Sequence, residues 1–203
     1  MSGNGISRLC SALAVLGLLA TGCSGGSSAP VASVSLDHAP PWPLNLAAGG
    51  PNIVAAGLKA LPNETLAVHF HAHLDVVVEG TKIPVPAYLG MVLTKQGAKL
   101  AVTAIAPLHT HDATGLIHIE APSPTPFRLG QVFAEWGLRL DERCLGGLCT
   151  AAGKGVRVSV NGRVVPGDPA EILLAKHQQI TVQYGELTGL TPAPASYAFP
   201  PGQ

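Results

Sequence analysis

Histidine carries the chemistry that this chain advertises. Eight are present among 203 residues, and seven of them lie between positions 69 and 177. His69, His71 and His73 alternate in one short stretch, and His109, His111 and His118 follow in another, which ends at Glu120. Imidazole binds divalent metals at about 2.0–2.1 Å through a neutral nitrogen. An ordinary histidine pKa of ~6.5 leaves that nitrogen free near pH 7.

The elements needed to position these rings are strands. Residues 66–78 alternate strongly and are rich in branched side chains, which reads as a strand. On a strand successive side chains point to opposite faces. His69, His71 and His73 therefore share a face with Asp75 and Glu79, expected to be solvent-facing, while Phe70, Ala72, Leu74, Val76 and Val78 face the core. In the second stretch, residues 112–115 have turn chemistry, with Asp112 as a turn former and Gly115 last. A four-residue loop there pairs His111 with Leu116, Thr110 with Ile117 and His109 with His118. His109, His111, His118 and Glu120 then point the same way.

The expectation is one divalent metal held by His109, His111 and His118, with His71 or His73 completing the site. His69 belongs to the same row. Glu120 stands between three roles: ligand, partner to an imidazole, or surface residue. Nothing in the sequence shows that the two histidine stretches are neighbours. Imidazole with occasional carboxylate suits Zn(II), Cu(II), Ni(II) or Fe, and Zn or Cu is expected first. Only Met91 follows the N-terminal segment, so thioether binding of Cu(I) is not expected. His38 and His177 lie outside both groups and read as surface residues.

The rest of the chain reads as a mainly β domain, a β-sandwich or β-grasp-like set of hairpins, with one or two short helices. Lys82–Pro86 is a return strand after Glu79-Gly80, Val156–Val160 runs into an Asn161-Gly162 hairpin turn, and Ile180–Tyr184 is one more strand. A helix is expected over Arg128–Trp136, with Trp136 in the core, and a second near Asn52. Gly (24) and Pro (18) are abundant, which favours many turns. Cys144 and Cys149 are expected to form a small disulfide loop, with thiolate ligation or a redox pair as alternatives.

The N-terminus reads as an address. Arg8 precedes an apolar run, Leu9–Ala20, too short to cross a bilayer core of ~30 Å as a helix. The run ends in Ala20-Thr21-Gly22-Cys23, which resembles the lipobox of bacterial lipoproteins. Residues 1–22 are expected to be a lipoprotein signal peptide and Cys23 the lipidated first residue, with a plain secretory signal as the alternative. Residues 23–43 read as a flexible tether, 44–189 as the histidine-rich domain, and 190–203 as a disordered tail with four prolines. The expected partners are the membrane, through lipid on Cys23, and a metal ion, at the extracytoplasmic face of the cell membrane.

Four stretches carry a resemblance: residues 69–74, 85–90, 108–120 and 129–137. They are similar to a family of small secreted or lipid-anchored bacterial and archaeal proteins. The resemblance covers most of residues 66–186. It implies export and a shared histidine-rich domain, and no particular reaction.

Other function classes find little footing. Twelve basic and twelve acidic residues cancel, and aromatic content is 4%, so neither a basic face nor a stacking platform for nucleic acid exists. There is no Gly-x-Ser-x-Gly, phosphate loop or dinucleotide fingerprint. Three readings stay open: a metal buffer, sensor or delivery protein; a three-histidine metalloenzyme; and a scaffold whose histidines are surface or pH-responsive groups.

Overall fold

The computed structural model describes residues 37–203. The expected signal peptide, Cys23 and most of the expected tether lie outside them. The described chain is mainly β with two short helices, as the sequence suggested. After a 3-10 turn at Leu46–Ala48 come α1 (Gly49–Ala55), β1 (Val68–Val78), β2 (Thr81–Ile83), β3 (Met91–Gln96), β4 (Lys99–Ile105), β5 (Leu108–His109) and β6 (Leu116–Ala121). Then follow α2 (Leu129–Trp136), β7 (Cys144–Leu145), β8 (Leu148–Cys149), β9 (Lys154–Val160), β10 (Arg163–Val164) and β11 (Gln179–Glu186).

Seven strands form one sheet in the order β10-β9-β11-β1-β6-β5, with β2 also paired to β1. β1 is its centre. Its first half pairs antiparallel with β6 and its second half antiparallel with β2, while β11 runs parallel along the other edge. Register carries the alternation across the whole sheet. Ala72 lies opposite Ile117, Leu74 beside Ile180, Val76 beside Val182, and Val182 opposite Val158. That apolar face packs on Leu129, Val132, Phe133 and Trp136 of α2 and on Trp42 and Leu89, all at most 3% exposed. The layers are thus a sheet and a helix, not the two facing sheets of a sandwich. Trp136 meets Trp42 edge to face at 6.2 Å and donates its indole N–H to the Trp42 carbonyl at 2.8 Å.

α2 follows its apolar spacing and ends where Gly137 takes a left-handed conformation (φ 79°). α1 begins three residues before Asn52. Its glycine-rich start is poor helix sequence, but tertiary contact requires it: a Cβ on Gly49 would stand 2.6 Å from the Met91 carbonyl oxygen. The β3–β4 hairpin was not expected; its signal was the branched and apolar residues on both sides of Gly97. Cys144 and Cys149 are directly paired and joined by a disulfide.

The polar face departs from expectation. It was read as solvent-facing, but His71, His73, Asp75, Gln179, Thr181 and Gln183 are all buried. Residues 190–203, expected as a free tail, carry no helix or strand yet lie against this face. Gln183 and Arg157 donate to the Thr191 carbonyl, Tyr197 stacks on His73 at 3.7 Å, and the Gln203 carbonyl lies 2.9 Å from His177 Nε2.

Candidate metal centre

The two histidine stretches meet because β1 and β6 are neighbours. In their register His71 lies opposite His118 and His69 opposite Glu120. β5 pairs with the far edge of β6, placing His109 opposite His118 from the other side. His118 therefore stands between a β1 row and a β5 row on one face. The expected hairpin register holds for this pair and then ends. Thr110 leaves the ladder, and its backbone bonds to Tyr88 and Leu89 instead. His111 consequently lies beyond β5, yet its ring still reaches His118, with centroids 4.5 Å apart.

Four donor atoms close a ring. His69 Nε2 is 3.2 Å from His71 Nε2, which is 3.1 Å from His118 Nδ1. Glu120 Oε1 is 3.4 Å from both His118 Nδ1 and His69 Nε2. A second set stands beside it. His109 Nε2 is 3.2 Å from His111 Nε2, and Glu64 Oε1 lies 3.7 Å and 3.5 Å from them. His69, His71, His118 and Glu120 are close enough to hold a metal ion, as are His109, His111 and His118, and also Glu64, His109 and Glu120.

Burial keeps the inner rings neutral. It pushes the His71 pKa down to about 4, helped by the neighbouring His69. It pushes His118 to about 3, with His109 adding to the effect. His109 falls to about 4 by burial, against the opposing influence of the Ala106 carbonyl. That carbonyl lies 3.0 Å from His109 Nδ1, so Nδ1 carries the proton and Nε2 keeps a free lone pair facing His111 and Glu64. Burial, and then the nearby Glu64, hold the Glu120 carboxyl above the usual range. Glu120 Oε2 is buried without a hydrogen-bond partner. Such an orphan costs about 1–3 kcal/mol or more when charged, and a cation would offset it.

His73 is not brought into the cluster. Its Nδ1 lies 2.8 Å from Gln179 Oε1 and its Nε2 3.0 Å from the Thr114 carbonyl. Both ring nitrogens are engaged by these oxygen atoms rather than by the other histidines. The Gln179 amide is itself oriented by donating to Asp75 Oδ2 at 2.8 Å. His38 and His177 are exposed, as expected. Asp112 accepts from the Thr114 amide at 2.9 Å, the turn role it was given. Glu64 was missed: it sits in a loop before β1 with no periodicity or motif to mark it.

Gly115 sets the β6 approach. Its φ is 93°, its carbonyl accepts from Leu74 N at 2.8 Å, and a Cβ would stand 2.3 Å from the Leu74 oxygen. Thr110 fixes the other side, donating its hydroxyl to the Pro86 carbonyl at 2.7 Å and accepting from Leu89 N at 3.1 Å. Five surface clefts among the described residues are lined by residues other than these histidines. Among the described residues no helix is long and apolar enough to cross a membrane. No family model, no curated protein and no solved structure matches this chain.

Proposed function

We propose that this is a lipid-anchored, extracytoplasmic metal-binding protein that buffers or delivers Zn(II). One observation carries the metal reading: the closed ring of His69, His71, His118 and Glu120 donor atoms, with neighbours 3.1–3.4 Å apart. Tetrahedral ligands at about 2.0–2.1 Å from an ion stand about 3.3 Å apart, whereas square ligands at the same bond lengths need neighbours at about 2.9 Å. The four ring edges lie nearer the tetrahedral spacing, the one that Zn(II) takes, than the square spacing of tetragonal Cu(II).

Access is compatible with carriage. The side chains of His69 and His111 are 39% and 46% exposed, so an ion has a route in and out. Support for the anchor is the apolar run and the small residues before Cys23.

The test is elemental analysis of the full chain purified without added metal, followed by zinc titration against a chromogenic chelator. Bound zinc, with His71→Ala weakening binding at least tenfold, is expected. No bound metal and no competition with the chelator would overturn the reading. Anchoring is tested separately by membrane fractionation of Cys23→Ala, which should release the protein; retention would count against lipidation.

A further inference from the structure

Resting on the metal reading above, we propose that the cluster holds two ions, the second on His109, His111 and Glu64, with the Glu120 carboxylate shared between the two. Seven donor residues converge here, and one tetrahedral ion takes only four. His69, His71, His118 and Glu120 already complete a four-donor ring. The surplus is organised. His109 Nε2, His111 Nε2 and Glu64 Oε1 form a triangle with edges of 3.2, 3.5 and 3.7 Å, one face of a coordination polyhedron.

Glu120 is placed to bridge. Its Oε1 belongs to the first ring, and it also groups with Glu64 and His109 within 4.8 Å. Its Oε2 is buried without a partner, on a residue only 5% exposed. A carboxylate giving one oxygen to each of two cations satisfies both atoms. A second divalent charge also offsets the repulsion between Glu64 and Glu120. His118 partitions the centre: its Nδ1 faces His71 and Glu120, while its ring lies 5.2 Å from that of His109, nearly parallel at 17°. The Ala106 carbonyl orients His109 in the way a ligating imidazole is held by a carbonyl on its other nitrogen.

The test is metal stoichiometry of the full chain by native mass spectrometry, with Zn(II), for wild type, His111→Ala and Glu64→Gln. Circular dichroism confirms that each variant is folded. Two ions in wild type and one in both His111→Ala and Glu64→Gln are expected. With Cu(II) as a probe, the second equivalent should lower the paramagnetic signal per copper, because the ions couple through the shared carboxylate. One ion in wild type, retained in His111→Ala and Glu64→Gln, overturns the second site but leaves the zinc-binding reading standing. Two ions in wild type and also in both variants overturns the ligand assignment. No ion in any form overturns the zinc-binding reading itself.

Discussion

His71 and His118 face each other across the β1–β6 ladder, and His71 Nε2 approaches His118 Nδ1 to 3.1 Å. Two buried imidazoles this close hold lone pairs that only a shared proton or a shared cation reconciles. Replacing either with alanine should therefore weaken zinc binding by at least tenfold, about 1.4 kcal/mol. Competition titration measures it; wild-type affinity in both variants would move the site elsewhere.

The metal-free protein should lose stability in acid through the same rings. Folding lowers the His118 pKa from 6.5 to about 3, and those of His71 and His109 to about 4. Between these values the unfolded chain binds more protons than the folded one. Their contribution is thus complete above pH 6.5 and drains away as pH falls toward 4. Glu120, whose carboxyl is held above its usual range, acts in the opposite sense. His118→Phe should flatten the pH dependence of unfolding free energy in this window by up to about 1.4 kcal/mol per pH unit, one proton's worth. Urea titrations at pH 6.5, 5.5 and 4.5 read the slope, and parallel curves would refute the assignment.

His73 should matter for stability and not for metal. His73→Ala removes contacts to Gln179 and Thr114 and the stack with Tyr197. The expected cost is about 1–3 kcal/mol, with zinc stoichiometry unchanged. Loss of an ion in this variant would place His73 among the ligands.

Gly115→Ala should be disruptive. The new methyl would overlap the Leu74 carbonyl oxygen at 2.3 Å, in a conformation with φ 93°. A loss of about 2–3 kcal/mol is expected, along with weaker zinc binding, because β6 carries His118 and Glu120. Thermal and chemical denaturation check it; a loss under about 0.5 kcal/mol would mean that the strand relaxes freely.

Glu135 on α2 should be a stability cost at neutral pH. It is 2% exposed, and neither carboxyl oxygen has a partner. Burial holds its carboxyl well above the usual range. A raised folded pKa gives stability below the unfolded value that is lost as pH rises. Glu135→Met should therefore stabilise the protein by about 1–3 kcal/mol at pH 7, and the gain should shrink near pH 4. Destabilisation at pH 7 would show that the carboxyl has an unseen partner.

Local pattern alone determined a good part of this protein. Period-two alternation put His69, His71 and His73 on one face, because a strand allows no other parity. Turn chemistry at Asp112–Gly115 anticipated the His109–His118 pair, but not that the ladder stops there and residues 110–115 form the loop. Helical spacing placed α2, and Cys144 with Cys149 came together across a two-residue turn. The tertiary structure decided what that pattern could not reach. Which strand lies beside β1 depends on long-range packing of the apolar face, so only the fold joins His71 to His118 and His69 to Glu120. His73 shares its face with His71 but is claimed by Gln179 from β11, over a hundred residues later. Glu64 enters from a loop without periodicity, and residues 190–203 lie over His73 and Gln183 on a face that alternation marks as polar. Strand parity is a property of neighbouring residues; which atoms converge on an ion is a property of segments distant in sequence, fixed by the packing that brings them together.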